Sequence, residues 1–216
     1  RAEDEQTLLS EICRIICEEA GYTTAWVGYV DEKKRQVLPA AWAGHDSAYI
    51  KNIKIVWENT DDFQRIPLGR AILSGEIVYE PDFPSVQGNP FWKENALDHG
   101  YGSGIVLPLK KNKTEVFGVL LIYSLEREAI SPDEIRLLTE LAGDLAFGIS
   151  SLRVRKEHSE YFTRIEESMA KTVQTIATMV EIRDPYTSGH QKRTATLAAA
   201  IARELGKDEE EIKGIT

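Results

Sequence analysis

The sequence predicts an α+β protein in which two antiparallel hairpins alternate with helices and are followed by one unusually long helix. Three observations predict this. Two pairs of short aromatic and β-branched runs are each joined by a charged turn, as antiparallel hairpins are. Segments of helical period lie before, between and after those pairs. Finally, no proline or glycine occurs between Ile149 and Asp184, so a helix entering that stretch meets no breaker.

The elements follow in chain order. Leu8, Leu9, Ile12, Cys13, Ile15, Ile16 and Ala20 recur at helical spacing, and Gly21 supplies the stop. Thr24 to Val30 and Gln36 to Ala43 form the first hairpin across Asp31 to Arg35. Leu68 to Ser74 reads as a short helix closed by Gly75, and Glu76 to Glu80 as a brief strand. Asn89 and Pro90 are an N-cap and first-turn pair that opens a helix over Phe91 to His99. Ser103 to Leu109 and Val116 to Ser124 form the second hairpin. Ser131, Pro132, Asp133 and Glu134 combine an N-cap, a proline at the first helical position and a capping-box glutamate.

From that cap, Ile135, Leu138, Ala142, Leu145, Ile149 and Leu152 alternate in steps of three and four, a heptad seam. The seam resumes one residue out of phase at Phe162, Ile165, Met169, Thr172, Ile176 and Met179. The run Asp184 to Gly189 is turn-forming, His190 to Leu205 starts a new helix stopped by Gly206, and Asp208 caps another. Two such helices do not close a core of their own, so the chain is expected to end inside a second, all-α domain.

Composition narrows the function. The formal charge is −9, with 35 acidic against 26 basic residues, which argues against a nucleic-acid partner because phosphate binding needs a basic field. No apolar run reaches membrane-spanning length, so no membrane contact is expected within this chain and a cytoplasmic location is. Cys13 and Cys17 share one helix face, where a disulfide would distort the backbone, and read as buried apolar residues of a reducing compartment.

The words AWVGYVDE at Ala25 to Glu32, GRAILSGE at Gly69 to Glu76, GYGSGIVLPL at Gly100 to Leu109 and FGVLLIYS at Phe117 to Ser124 occur in one order. That order, over residues 6 to 150, resembles the GAF domains of bacterial signalling proteins. The resemblance implies a GAF fold, PAS-like, that is, a central antiparallel sheet flanked by helices, with a small-molecule pocket on one face of the sheet. EIRDPYTSGHQKRTATLAAAIARELGKDEEEIKGI, Glu181 to Ile215, is similar to the opening of HD-GYP domains, the metal-dependent hydrolases of cyclic di-GMP. It implies that His190 is a metal ligand in the complete domain, beside two or more divalent ions of the iron or manganese type. The HD pair and GYP motif of that family lie further along than Thr216, so this chain is expected to carry no hydrolase activity and no cofactor of its own.

Aromatic residues concentrate in the sensor-like part. Trp26, Trp42, Trp57, Phe63, Tyr79, Trp92, His99 and Tyr101 are the candidate ligand-binding residues, Trp57, Phe63 and Trp92 standing out because they fall in connections. The ligand itself is not named by the sequence. Bilin attachment needs a cysteine near the pocket, and both cysteines lie on the first helix. The cyclic-nucleotide GAF motif is matched only by Asp133 and Glu134, since Tyr123, Ser124 and Ala129 occupy its other places, and haem would want an axial role for His45 or His99. A reductase of free methionine sulfoxide would likewise need pocket cysteines.

The expected organisation is a sensor domain over 1–150, a coiled-coil signalling helix over 151–183 and the start of an HD-GYP domain over 184–216. The expected function is a regulatory input that controls a cyclic di-GMP phosphodiesterase through paired exit helices of a homodimer. The competing expectation is a ligand-free GAF dimerisation scaffold.

Overall fold

A computed structural model describes residues 4–45, 50–51, 53, 55–56, 61–85, 98–112, 114–183 and 190–214. The expected helix over Phe91 to His99 therefore lies almost wholly outside the described residues, as do Trp57 and Trp92. The chain divides into two compact units, Arg1–Lys156 and Glu157–Thr216.

In the first unit, helix α1 spans Glu5–Glu18 and is opened by Asp4, whose carboxylate accepts from the Thr7 amide at 2.8 Å. Strands β1 (Thr24–Asp31) and β2 (Gln36–Gly44) form the first hairpin, and β3 (Ile55–Val56) extends it. Two short helices follow, α2 (Asp61–Arg65) and α3 (Pro67–Ser74), the second ended by Gly75 at φ 68°. Then come β4 (Val78–Glu80), a 3-10 turn over Phe83–Ser85, β5 (Ser103–Lys110) and β6 (Val116–Ser124). All six strands join one sheet in the order β3-β2-β1-β6-β5-β4, and the pairings are antiparallel throughout. The two hairpins thus meet in the middle through β1 and β6.

Helix α4 runs unbroken over Pro132–Arg183. Its first turn is closed reciprocally: the Ser131 amide donates to the Glu134 carboxylate at 2.8 Å and the Glu134 amide donates to Ser131 Oγ at 3.3 Å. Asp133 and Glu134 therefore have a local structural role. In the second unit, α5 (His190–Glu204) and α6 (Glu209–Lys213) share a small cluster of Ala199, Ala202 and Ile212, and Asp208 caps α6 through a complete capping box.

The sheet buries both faces. On the first face Leu9, Cys13 and Ile16 of α1 and Leu138, Ala142, Leu145, Ala146 and Ile149 of α4 pack on Val27, Ile105, Leu107, Leu120 and Ile122. On the second, α2, α3 and the 3-10 turn bring Phe63, Leu68, Ile72 and Phe83 onto Trp26, Val37, Val106, Val119, Leu121 and Tyr123.

The seam from Ile135 to Leu152, read as a chain-pairing surface, is in large part this domain's own packing face. Its spacing reports that one side of the helix is apolar; it does not report what covers that side. The later seam differs, since Phe162, Ile165, Met169, Ile176 and Met179 are each more than half exposed.

Two bulges decide which side chains reach which face. In the β1/β2 ladder the register slips between Val27 and Gly28, passing over Ala40. Because strand side chains alternate, an extra residue reverses the alternation beyond it. Val37 accordingly faces the second layer, whereas Ala41 faces the first and Trp42 returns to the second. In the β5/β6 ladder the register passes over Phe117, which packs on the first face although Val119 and Leu121 belong to the second.

Candidate functional site

The second face carries an aromatic cluster. Trp26 and Trp42 sit directly opposite each other across β1 and β2, Trp26 buried and Trp42 half-buried. Gly28 leaves the space into which the Trp26 indole lies: a Cβ there would stand 2.7 Å from Trp26 Cζ3 and 2.9 Å from Val37 Cγ1. Tyr101 and Tyr123 stack at 4.4 Å between centroids with their planes 11° apart, His99 stacks on Tyr101 at 5.9 Å, and Phe83 tilts against Tyr123 at 5.9 Å. Gly104 makes room for this stack, because a Cβ there would meet Tyr123 Cδ1 at 2.7 Å and Phe83 Cε2 at 2.8 Å. The Tyr101 hydroxyl donates to the buried Thr24 hydroxyl at 3.4 Å.

Of the candidate residues, Trp26, Trp42, Phe63 and Tyr101 share this face, and His99 stacks on its edge. Tyr79 does not join them. It pairs with Ile105 on β5, packs against the first layer, and its hydroxyl accepts from the Ile130 amide at 3.2 Å. β4 is three residues long, too short for its alternation to be legible. Tyr123 and Phe83 belong to the cluster and were not singled out by sequence. Tyr123 shares parity with Val119 and Leu121 in FGVLLIYS, a signal that was available; Phe83 lies in an irregular turn and left none.

The thiols lie on the other side of the sheet. Burial pushes the Cys13 thiol up to about 12, and burial also raises Cys17, so neither is a ready thiolate nucleophile. His190 is exposed at the first position of α5. No group of three His, Cys, Asp or Glu side chains converges among the described residues.

On the first face, at the point where α4 leaves the sheet, four side chains form a compact junction. Arg153 donates from Nε to Glu5 Oε2 and from Nη2 to Glu5 Oε1, both at 2.8 Å. The Tyr29 hydroxyl donates to Glu5 Oε1 at 2.6 Å. The guanidinium lies over the rings of Tyr29 at 4.7 Å and of the bulge residue Phe117 at 5.2 Å. Arg153 holds the Glu5 carboxyl below the usual glutamate range, while burial and the Glu5 charge raise the Tyr29 phenol. The start of α1, the central strands β1 and β6, and the exit of α4 are thereby tied at one point. The other bulge is tied too, for Gln6 Nε2 donates to the Ala40 carbonyl at 2.9 Å.

Among the described residues, one six-stranded antiparallel sheet with helices on one face and an aromatic layer under short helices on the other defines the domain. A family model described as GAF domain matches residues 2–150, and the chain belongs to that family. Solved structures share the fold. The GAF domain/HD domain protein from Geobacter sulfurreducens is 16% identical, with TM-score 0.57 over 70% of this chain and 95% of that chain. Free methionine-R-sulfoxide reductase from Neisseria meningitidis, in complex with its substrate, is 20% identical, with TM-score 0.59 over 71% of this chain and 83% of that one. The blue-light absorbing form of the Thermosynechococcus elongatus PixJ GAF-domain is 14% identical, with TM-score 0.60 over 74% and 93%. Curated protein sequences give no match. No helix among the described residues is long and apolar enough to cross a membrane.

Proposed function

We propose that this chain is the cytoplasmic sensory input of a bacterial signal-transduction protein, in which a small molecule bound at the aromatic face biases a downstream HD-GYP cyclic di-GMP phosphodiesterase. The observation that carries the reading is the single helix α4, which begins in the sensor's core and runs to the edge of the HD-GYP-like segment. The likeness in fold to a GAF domain/HD domain protein supports it, since that protein joins a GAF domain to an HD domain.

Signal passes by way of the junction at Arg153. Strands β1 and β6 present Trp26 and Tyr123 to the aromatic face and Tyr29 and Phe117 to Arg153. A ligand that repacks the aromatic side shifts strands whose opposite side chains hold the exit helix, so two packings of the sheet become two positions of α4. The exit helices act as a pair in a homodimer. His190 serves as one of several metal ligands once the hydrolase domain is complete.

Free methionine sulfoxide reduction is disfavoured by the placement of Cys13, buried between α1 and the sheet, on the face opposite the aromatic cluster. The second reading, a ligand-free scaffold, is favoured by one observation: Trp26, Tyr101 and Tyr123 are already buried against one another and their neighbours.

The test is cyclic di-GMP hydrolysis by a protein carrying this chain and a full HD-GYP domain, before and after Arg153→Ala, alongside a thermal-shift screen of nucleotides, amino acids and organic acids on the same protein. Ligand-dependent hydrolysis that becomes ligand-independent in Arg153→Ala supports the sensory reading. Absence of any ligand that raises the melting temperature, with hydrolysis indifferent to the substitution, favours the scaffold.

A further inference from the structure

Helix α4 carries a further set of apolar residues at a spacing different from the Ile135 to Leu152 seam, with Phe162, Ile165, Met169 and Ile176 shared with the later one. Phe147, Val154, Phe162, Ile165, Met169, Val173 and Ile176 are each more than half exposed. With Gly143, Ser151 and His158 they fall in steps of four, four and three: Gly143, Phe147, Ser151, Val154, His158, Phe162, Ile165, Met169, Val173, Ile176. Steps of four, four and three repeat every eleven residues at about 3.67 per turn. That is close to the pitch of an undistorted helix, so the residues stay on one stripe without the left-handed coiling a heptad demands. In the first unit the stripe is opposite the packing face, since Phe147 and Val154 are exposed where Leu145 and Ile149 are buried.

Phe147 is 75% exposed, and one turn before it, on the flank of the same helix, lies a groove of about 270 Å³. Its walls are mostly apolar and include Thr139, Gly143 and Ala146 of α4 and Leu107 and Pro108 of β5. Gly143 faces open space, with nothing within 4 Å of where a Cβ would stand.

We propose that the outer stripe of α4 pairs in parallel with that of a second copy of this chain, each Phe147 ring entering the groove beside Gly143 and Ala146 of the other. This rests on the dimeric reading given above and adds its register and contact. Three observations select a second copy as the occupant. The protruding ring and the groove are one turn apart on the same helix, so a two-fold axis along the pair satisfies both at once. In parallel helix pairs a side chain enters the hole formed by its own counterpart, the residues four and one before it, and the residue three beyond. For Phe147 that hole includes Gly143 and Ala146, two residues that line the groove. The groove also has the room, since a cavity of about 150 Å³ accommodates a benzene ring.

The experiment measures the mass of the chain by sedimentation equilibrium for the parent, Phe147→Ala and Gly143→Leu. It also scores disulfide formation in an oxidised mixture of Phe147→Cys and Gly143→Cys chains. The expected result is a dimeric parent, a dissociation constant at least tenfold weaker in both variants, and in the mixed sample a disulfide joining position 147 of one chain to position 143 of the other, identified by peptide mass spectrometry. Gly143→Leu fills the groove from within while adding a better helix former, so weakened pairing with an unchanged or raised melting temperature separates a blocked seat from a damaged fold. A monomeric parent overturns both the dimeric reading and this contact. A dimeric parent whose variants pair as well, or whose mixed chains do not cross-link, leaves the dimeric reading standing and overturns the Phe147 seat.

Discussion

Replacing Arg153 with alanine removes a side chain that holds the start of α1, the two central strands and the exit of α4 together. The pair with Glu5 is bidentate, with both bonds at 2.8 Å, but the Arg153 side chain is 44% exposed and that of Glu5 27%, so the value of a buried pair does not apply. We assign about 1 kcal/mol to the screened bidentate pair and about 0.5 kcal/mol to each of the two ring contacts. The loss is then about 2 kcal/mol, or a fall of about 4–8 °C in the melting temperature of a unit of this size. All four tryptophans, at 26, 42, 57 and 92, precede residue 156, so tryptophan fluorescence follows unfolding of the first unit alone. Arg153→Lys keeps the charge but loses the planar fork and the stacking, and recovers less than half of the loss. A double-mutant cycle with Glu5→Gln isolates the pair and should show coupling of about 1 kcal/mol. The pH dependence has a definite sign. The folded Glu5 carboxyl is held below its ordinary value, so the junction's contribution is complete above about pH 4.3 and fades as pH falls through the lower folded value. Parent and Arg153→Ala curves should therefore converge in acid. A loss under 0.5 kcal/mol, additive single effects, or a gap that persists unchanged in acid refutes the junction as described.

Gly28→Ala sets a methyl 2.7 Å from the Trp26 ring; it should cost about 1–3 kcal/mol by overpacking and alter Trp26 emission in the folded protein, an unaltered spectrum counting against the stacked placement. Ser131→Ala removes the hydroxyl that accepts from the Glu134 amide and should lower stability by about 1 kcal/mol in urea unfolding, with no change expected from Thr163→Ala in the exposed middle of α4. Cys13, buried and with its thiol raised to about 12, should resist iodoacetamide at pH 8 in the native protein and react only on unfolding. Mass spectrometry of alkylated peptides checks this against Cys17, and equal native rates at the two sites would remove the case for a buried Cys13.

Helix starts and strand pairs were legible because their signals are local. Ser131 to Glu134 caps α4 as its residues predict, and both hairpins form where two apolar runs flank a charged turn. Four of the eight aromatic candidates proved to share the second face, and His99 stacks on its edge. Tyr79 packs on the first face, which a three-residue strand gives no alternation to foretell, whereas Tyr123 alternates with Leu121 and Val119. The Glu5–Arg153 junction had no local signal at all: its partners lie 148 residues apart, and only the meeting of β1 with β6 brings them together.

The sequence by itself determined the two hairpins, the caps, the unbroken course of α4 and the existence of apolar faces along it, since each of these depends on residues within a turn or two of one another. Tertiary structure decided what those faces touch. The Ile135 to Leu152 seam lies on the domain's own sheet while the stripe through Phe147 faces outward, and the bulges at Ala40 and Phe117 turn Trp42 toward the aromatic layer and Phe117 toward Arg153. Periodicity encodes that a face exists, whereas its occupant is chosen by strand register, and one added residue in a ladder exchanges the two sides of everything beyond it.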